Sequence, residues 1–334
     1  MATPVLALPG RRRKRADLPA ALRAKRRREG LAALGFLSPW LLGFSVFFAY
    51  PLIAAVYFSF YYYDQFNAPV WVGLKNWDYI LFNFPDFVTG LKNTLWLVVV
   101  MVTLQTVFGL GVAMLITKIK RGGNLFRTLF YLPYLAPPVI STLVFVYLFD
   151  AGGPVNTILA HLGVHNPPGW FNSPTWFKPS LTLLSLWGIG NTVVIFFASL
   201  LDVPREQMEA AMLDGAGPVK RFRFVTLPAI QPVILFSVVL GVIQALQYFT
   251  QAYVAANVAA GQASAAGSVS NLELGYPEGS TLFYPVLLYY HGFRFFDMGY
   301  ACAMAMLLLA VAFLITLVII RNSRRWVHYA GAAR

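Results

Sequence analysis

Charged residues avoid six long stretches of this chain, and that avoidance constrains its fold more than any other feature. An ionised side chain at the centre of a bilayer costs roughly 2.5–3.5 kcal/mol even on insertion scales, and about 20 apolar residues are enough to cross. Charge-free runs of that length are therefore read as membrane spans. They cover residues 31–63, with a core at Leu34–Phe60, then Asn93–Thr117, Thr128–Phe149, Pro179–Leu201, Ala229–Val254 and Met298–Ile320. Composition points the same way, because only 12% of the residues are charged and 58% are hydrophobic. That is about half the charged fraction of an ordinary soluble domain, which disfavours a soluble enzyme, a disordered tail protein and a disulfide scaffold alike. The single cysteine, Cys302, admits no internal disulfide.

The cations between the spans set the topology. Lys and Arg number ten before the first span, then two, four, one, four and one in successive connections, and four after the last. Alternate segments thus hold twenty-two on one side and four on the other. Lys and Arg mark the cytoplasmic face, so the expectation is a multi-pass protein of the cell membrane with both termini cytoplasmic. The net charge of +13 then needs no nucleic acid. The run Arg11-Arg12-Arg13-Lys14-Arg15 and the cluster from Arg23 to Arg28 read as a topogenic tail beside anionic lipid. A cleaved leader fits poorly, since the apolar run is too long and no small-residue site follows it. The first helix is expected to stay.

This gives an all-α polytopic organisation. A basic tail (1–30) precedes the first span (31–63), an extracytoplasmic loop (64–92), a transmembrane core (93–321) and a cytoplasmic C-terminal tail (322–334). Asn257–Ser270 lacks bulk and reads as a loop, while Ser280–Phe293 is too short to cross and reads as interfacial or re-entrant. The outer connections carry Asp64, Asp78, Asp86, Asp150, Glu273, Glu278 and Asp297, a mildly negative face suited to a binding protein and equally to solvated loops. Four scattered histidines share no metal-ligand spacing, so neither metal nor cofactor is expected. No internal repeat is evident.

The connection at 202–228 is the most informative segment. Asp202 is placed to cap a helix with Pro204 in its first turn. Glu206 lies near the positive helix end, Met208, Ala211 and Met212 share one face, and Gly215 and Gly217 stop the helix. A short amphipathic helix of this kind lies on lipid or, given its small Ala210 and Ala211, accepts another protein at close range. The residues alone leave both readings open.

Glu209-Ala210-Ala211, Gly215 six residues beyond Glu209, and Leu227-Pro228 resemble the EAA-x3-G-x9-I-x-L-P loop of ABC importer permeases, with Val225 where the family usually has Ile. Asp214, Ala216 and Phe222 fit its wider pattern. Val72-Gly-Leu-Lys-Asn-Trp77, Asn93-Thr94, Phe126-Arg127-Thr128, Leu132-Pro133-Tyr134 and Arg324-Arg325-Trp326 extend the likeness to permeases of the maltose and glycerol-phosphate type. The chain lacks the large extracytoplasmic domain of the maltose subunit. The resemblance implies a type I ABC importer permease fold with six transmembrane helices. It also implies a sugar or sugar-like solute delivered by an extracytoplasmic binding protein, a second homologous permease, and a pair of ATP-binding subunits. No G-x4-G-K-[ST] segment is present, so ATP hydrolysis belongs to a partner and this chain is not itself expected to be an enzyme. Glu209, Ala210, Ala211, Asp214, Gly215, Phe222, Leu227 and Pro228 are the residues expected to transmit the partner's motion.

Polar residues inside spans mark a candidate solute path. On a continuous helix Gln244, Gln247, Tyr248 and Gln251 fall within about 100° of one another, and their neutral amides and phenol suit sugar hydroxyls. The same stripe equally serves hydrogen bonding between helices. Asn191 in the fourth span and Gln105 in the second are weaker candidates for the path, each alone, and hydrogen bonding within the core suits them better. An ion-coupled transporter should show ionisable residues within the spans, and a membrane enzyme a convergent catalytic cluster. The sequence shows neither.

Overall fold

A computed structural model describes residues 20–119, 121–261, 275–323 and 327. The run Arg11–Arg15, most of the loop expected at Asn257–Ser270, Glu273, and Arg324-Arg325-Trp326 lie outside them. The chain divides into two compact units, residues 1–55 and 56–334.

Helix α1 (Ala20–Phe44) passes through a π turn at Ser45–Ala49 into α2 (Tyr50–Phe58). The π turn lies just ahead of Pro51, which has no N–H to give and whose ring crowds the carbonyl four residues earlier. From Arg28 to Phe58 the helix is long and apolar enough to cross a membrane. Its large side chains are exposed all round, with Phe36 at 88%, as befits a helix whose solvent is lipid. The helix starts well before residue 31 and ends before residue 63. Beyond Phe58 the aromatic run turns into β1 (Tyr61–Tyr62), antiparallel to β2 (Val70–Trp71) with Tyr61 opposite Trp71. The turn is tied by Asp64, whose Oδ1 accepts the N–H groups of Phe66 (3.1 Å) and Asn67 (2.8 Å), an Asx-type bond that competes with helix.

In the second unit, α3 (Lys75–Asp78) and a π turn at Tyr79–Asn83 lead to α4 (Pro85–Thr117). Then follow α5 (Gly123–Leu135), α6 (Pro138–Leu148), α7 (Pro154–His161), α8 (Pro174–Trp187), α9 (Gly190–Leu201), α10 (Arg205–Leu213), α11 (Pro218–Arg221), α12 (Leu227–Leu246), α13 (Thr250–Ala259), α14 (Tyr284–Tyr289) and α15 (Met298–Ser323). The 33-residue α4 is the spine, packed on α8, α9, α12 and α14. Small residues allow the approach. A Cβ on Gly241 would meet Val102 Cγ1 at 3.1 Å, and one on Gly109 would meet Thr192 Cγ2 at 3.0 Å.

Two of the expected spans are broken. Pro137 forces Ala136 into an extended conformation (ψ 136°), so α5 and α6 meet at 96°. Helices α8 and α9 meet at 51° across Gly188 and Ile189. Among the described residues, four continuous helices and these two bent pairs give up to six crossings by length and composition.

The expected fifth span, Ala229–Val254, also changes. Helix α12 ends at Leu246, and Gln247–Phe249 separates it from α13. Most of the segment 280–293 is buried in protein. Leu282, Phe283, Tyr284, Val286, Leu287 and Tyr290 are buried, with α14 packed on α4 and α15. Asn93 holds this segment, its Nδ2 donating to the carbonyls of Gly279 and Leu282 at 3.0 Å each while its Oδ1 accepts from Lys178 Nζ. Beside it Thr94 Oγ1 accepts the N–H of Tyr284 at 2.9 Å.

Candidate solute cavity and exposed loop helix

Three chain breaks meet around one cavity. It has a volume of about 400 Å³ and is lined from the α5–α6 bend by Tyr134, Ala136, Pro138 and Ser141, from the α8–α9 bend by Ser185, Trp187 and Gly188, and from α4 by Met101 and Gln105. Its remaining wall is Gln244 at the end of α12, Gln247, Tyr248 and Phe249 in the break, and Thr250 and Gln251 opening α13. Among the described residues, no Asp, Glu, Lys, Arg or His lines it. The wall is amide, hydroxyl and aromatic ring, which donates and accepts hydrogen bonds without charge.

Gln244, Gln247, Tyr248 and Gln251 thus share a wall, although the continuous helix argued for them does not exist. The backbone at Gln247 leaves the helical region (φ −106°, ψ 16°), and the break turns the four toward a common space. Tyr248 is part of the lining, while its hydroxyl is buried without a hydrogen-bond partner. Asn191 is not in this wall. It lines a smaller polar space of about 30 Å³ with Thr106, Thr192, Ser237 and, shared with the main cavity, Gln105 and Gln244. That volume suits a water molecule or two. The lining residues Tyr134, Ser141, Ser185 and Thr250 were not among the sequence candidates. Each is an ordinary polar residue on its own helix, and only the bends bring them together.

A packing constraint fixes one bend. A Cβ on Gly190 would overlap the carbonyl oxygen of Phe130 and lie 2.7 Å from Tyr131 Cα, so α9 meets α5 backbone to backbone. The pair is clasped further by Arg127, whose guanidinium lies 4.2 Å from the centre of the Phe197 ring.

The loop at 202–228 folds as α10, α11 and a π turn at Phe222–Thr226 ahead of Pro228. Asp202 does not cap α10. It ends α9, and the entry to α10 is set by Pro204 (φ −58°, ψ 123°) with no side-chain cap. No residue of α10 is buried, and Glu209, Ala210 and Asp214 are exposed. Leu213 is 90% exposed and Val219 77%. Gly215 sits at φ +74° and closes α10 in a Schellman turn, the N–H of Ala216 reaching Ala211 O at 2.9 Å and that of Gly215 reaching Met212 O at 3.1 Å. Phe222, half-buried, opens the π turn, and Leu227-Pro228 begins α12. Helix α10 packs mainly on α11 and that turn, and its outer face is exposed.

Residues 105–328 match the family described as binding-protein-dependent transport system inner membrane component. The probable ABC transporter permease protein YesP of Bacillus subtilis (strain 168) is 36% identical over 304 residues, spanning 91% of this chain and 94% of that one. The arabinooligosaccharides transport system permease protein AraP of the same organism is 30% identical, spanning 86% and 87%. Among solved structures, a chain of a bacterial alginate ABC transporter in complex with alginate pentasaccharide-bound periplasmic protein superposes with a TM-score of 0.74. It is 22% identical, covering 90% of this chain and 96% of that one.

Proposed function

We propose a function for a chain that belongs to the family of binding-protein-dependent transport system inner membrane components: it is the ABC importer permease through which a neutral sugar or oligosaccharide crosses the membrane. The observation that carries the substrate class is the charge-free cavity of about 400 Å³. Hydroxyl-rich solutes exchange water for Gln244, Gln247, Gln251, Ser141 and Ser185 without desolvating an ion, and Trp187, Tyr134 and Phe249 offer apolar ring surface. Relatives named for arabinooligosaccharides and lactose support this reading. The ion-coupled alternative would place acidic or basic side chains along the path, and among the described residues the cavity wall has no Asp, Glu, Lys, Arg or His.

The loop reading follows from exposure. Glu209, Ala210 and Ala211 sit on a short helix ended by Gly215, with Leu213 and Val219 presented to a partner. We assign this surface to ATP-hydrolysing subunits, whose motion reaches α12 through Phe222, Leu227 and Pro228. A second permease, an extracytoplasmic binding protein and cytoplasmic termini complete the proposal, the last on the Lys and Arg bias. The test places a photo-crosslinking residue at position 213 of the assembled transporter in proteoliposomes. The expected result is capture of the ATPase subunit together with sugar uptake. Uptake without any such capture overturns the loop assignment.

A further inference from the structure

Beside the solute cavity lies the much smaller space of about 30 Å³. Gln105 of α4 and Gln244 of α12 line both, so these two side chains are shared by the two spaces. Thr106, Asn191 and Thr192 add further polar groups to the small one. Close helix packing walls it in. A Cβ on Gly241 would meet Val102 Cγ1, and Val102 and Gly241 are both part of the lining. The methyl group of Thr192 is seated on Gly109, and the stiff first torsion of threonine then restricts where its hydroxyl points.

Three features define the occupant. The first is size, which admits one or two waters and no sugar ring. The second is neutrality. Among the described residues no Asp, Glu, Lys, Arg or His lines this space, so nothing in it balances an ion. The third is free hydrogen-bonding capacity. Threonine hydroxyls nearby bond back to their own helix, Thr94 Oγ1 to Gly90 O at 2.7 Å, Thr103 Oγ1 to Val99 O at 2.6 Å and Thr182 Oγ1 to Lys178 O at 3.0 Å. Among the described residues, the side chains of Gln105, Thr106, Asn191 and Thr192 make no hydrogen bond to protein. Ser237 Oγ is fully buried without a partner, whereas none of the polar atoms of those four side chains is so enclosed. They, and not Ser237, are open to an occupant. A buried water takes about three hydrogen bonds, and amides with hydroxyls meet both its donors and its acceptors.

The consequence falls on the solute cavity. The last torsion of glutamine is broad and two-fold, so an unsupported Gln105 or Gln244 can present either its carbonyl or its NH₂ group to a solute. A bond from the small space selects one of the two. We propose that one or two waters held by Asn191, Thr106 and Thr192 fix the amides of Gln105 and Gln244 in the orientation that the solute meets. Asn191 is then a positioning residue, acting through water and the glutamines rather than by touching the solute. The effect on transport rests on the sugar path proposed above; the water site does not.

The test uses the assembled transporter, in nanodiscs for electron cryo-microscopy at a resolution that shows ordered water, and in proteoliposomes for uptake of arabinotriose and lactose. One or two densities are expected within hydrogen-bond distance of Asn191 and of Gln105 or Gln244, and Asn191→Leu should abolish them. Asn191→Leu should also raise KM about two- to fivefold with the maximal rate unchanged, the scale of one neutral hydrogen bond. Asn191→Ser keeps a hydroxyl with room for water and should stay near the unaltered KM. Thr103→Val, on the same helix as Gln105 but outside the lining, should leave KM as it was. With Gln105→Ala and Gln244→Ala in place, adding Asn191→Leu should change KM no further. Absence of density beside Asn191 overturns the proposal, as does an equal effect of Asn191→Leu with and without the two glutamines. Densities in place while Gln105→Ala and Gln244→Ala leave uptake unaltered uphold the water site and overturn the sugar path instead. Where neither probe is carried, the densities and their loss in Asn191→Leu decide the water site.

Discussion

Replacing Gly215 separates a conformational role from a steric one. At φ +74° an L-residue pays roughly 1–2 kcal/mol, whereas a Cβ at this position would meet no other atom within 4 Å. The whole penalty is therefore backbone strain. No residue of α10 is buried, so the chain relieves the strain by opening the Schellman turn rather than by unfolding the bundle. One to two kcal/mol shifts that local equilibrium by about 5–30-fold. Gly215→Ala and Gly215→Val should insert and melt like the unaltered chain, yet lose amide-exchange protection at Gly215 and Ala216 and lose most transport-linked ATPase in the assembled complex. Gly215→Asn should retain more of both, because asparagine visits the left-handed region at lower cost. If Ala matches glycine in exchange and ATPase, or Asn is no better than Val, the argument from φ fails.

Gly190→Ala puts a methyl group against the backbone of Phe130 and Tyr131, which cannot rotate away. Overpacking of this kind costs about 1–3 kcal/mol, and a clear drop in melting temperature and yield in detergent is expected. Gln244→Ala and Gln247→Ala each remove a neutral amide from the cavity wall, worth about 0.5–1.5 kcal/mol, so uptake should show KM raised roughly two- to tenfold with membrane insertion unchanged. Histidine 291 is held near 4 against an ordinary value of 6.5. Between those pH values the unfolded chain binds a proton that the folded chain does not, so stability should fall as pH drops from about 6.5 to 4. His291→Gln should flatten that segment of the melting-temperature profile.

Most of the architecture is legible in the sequence because membrane spans announce themselves by length and absence of charge. The short helix of the 202–228 connection and its stop at Gly215 are legible because helix start and stop signals are local properties. Boundaries were less legible where local competition decides them. The first helix stops at Phe58 because Asp64 ties an Asx turn and the tyrosines pair as strand, not because the apolar run ends. The burial of 280–293 depends on Asn93, almost 190 residues away, satisfying the carbonyls of Gly279 and Leu282. No window of sequence contains both partners. For the cavity, periodicity selected Gln244, Gln247, Tyr248 and Gln251 on the premise of a continuous helix. The wall they share arises instead from an interruption of that helix, and Asn191 faces a different space.

The interruptions themselves explain why the cavity is where it is. A helix in lipid keeps every backbone hydrogen bond within itself, so a break at membrane depth frees N–H and C=O groups that hydrocarbon cannot satisfy. Such breaks survive only where they are buried in protein or face water. Three of them, at Ala136–Pro138, Gly188–Ile189 and Gln247–Phe249, occur in separate helices of this chain, and residues from all three line the same space of about 400 Å³. Each break is thereby tolerable because the others help to keep that space polar. The bends turn side chains of α5, α6, α8, α12 and α13 toward one volume, beside Met101 and Gln105 of α4. A straight helix at any one of the three positions would remove part of this polar wall. The charge-free chemistry of this cavity and the broken geometry of the helices around it are consequences of one arrangement.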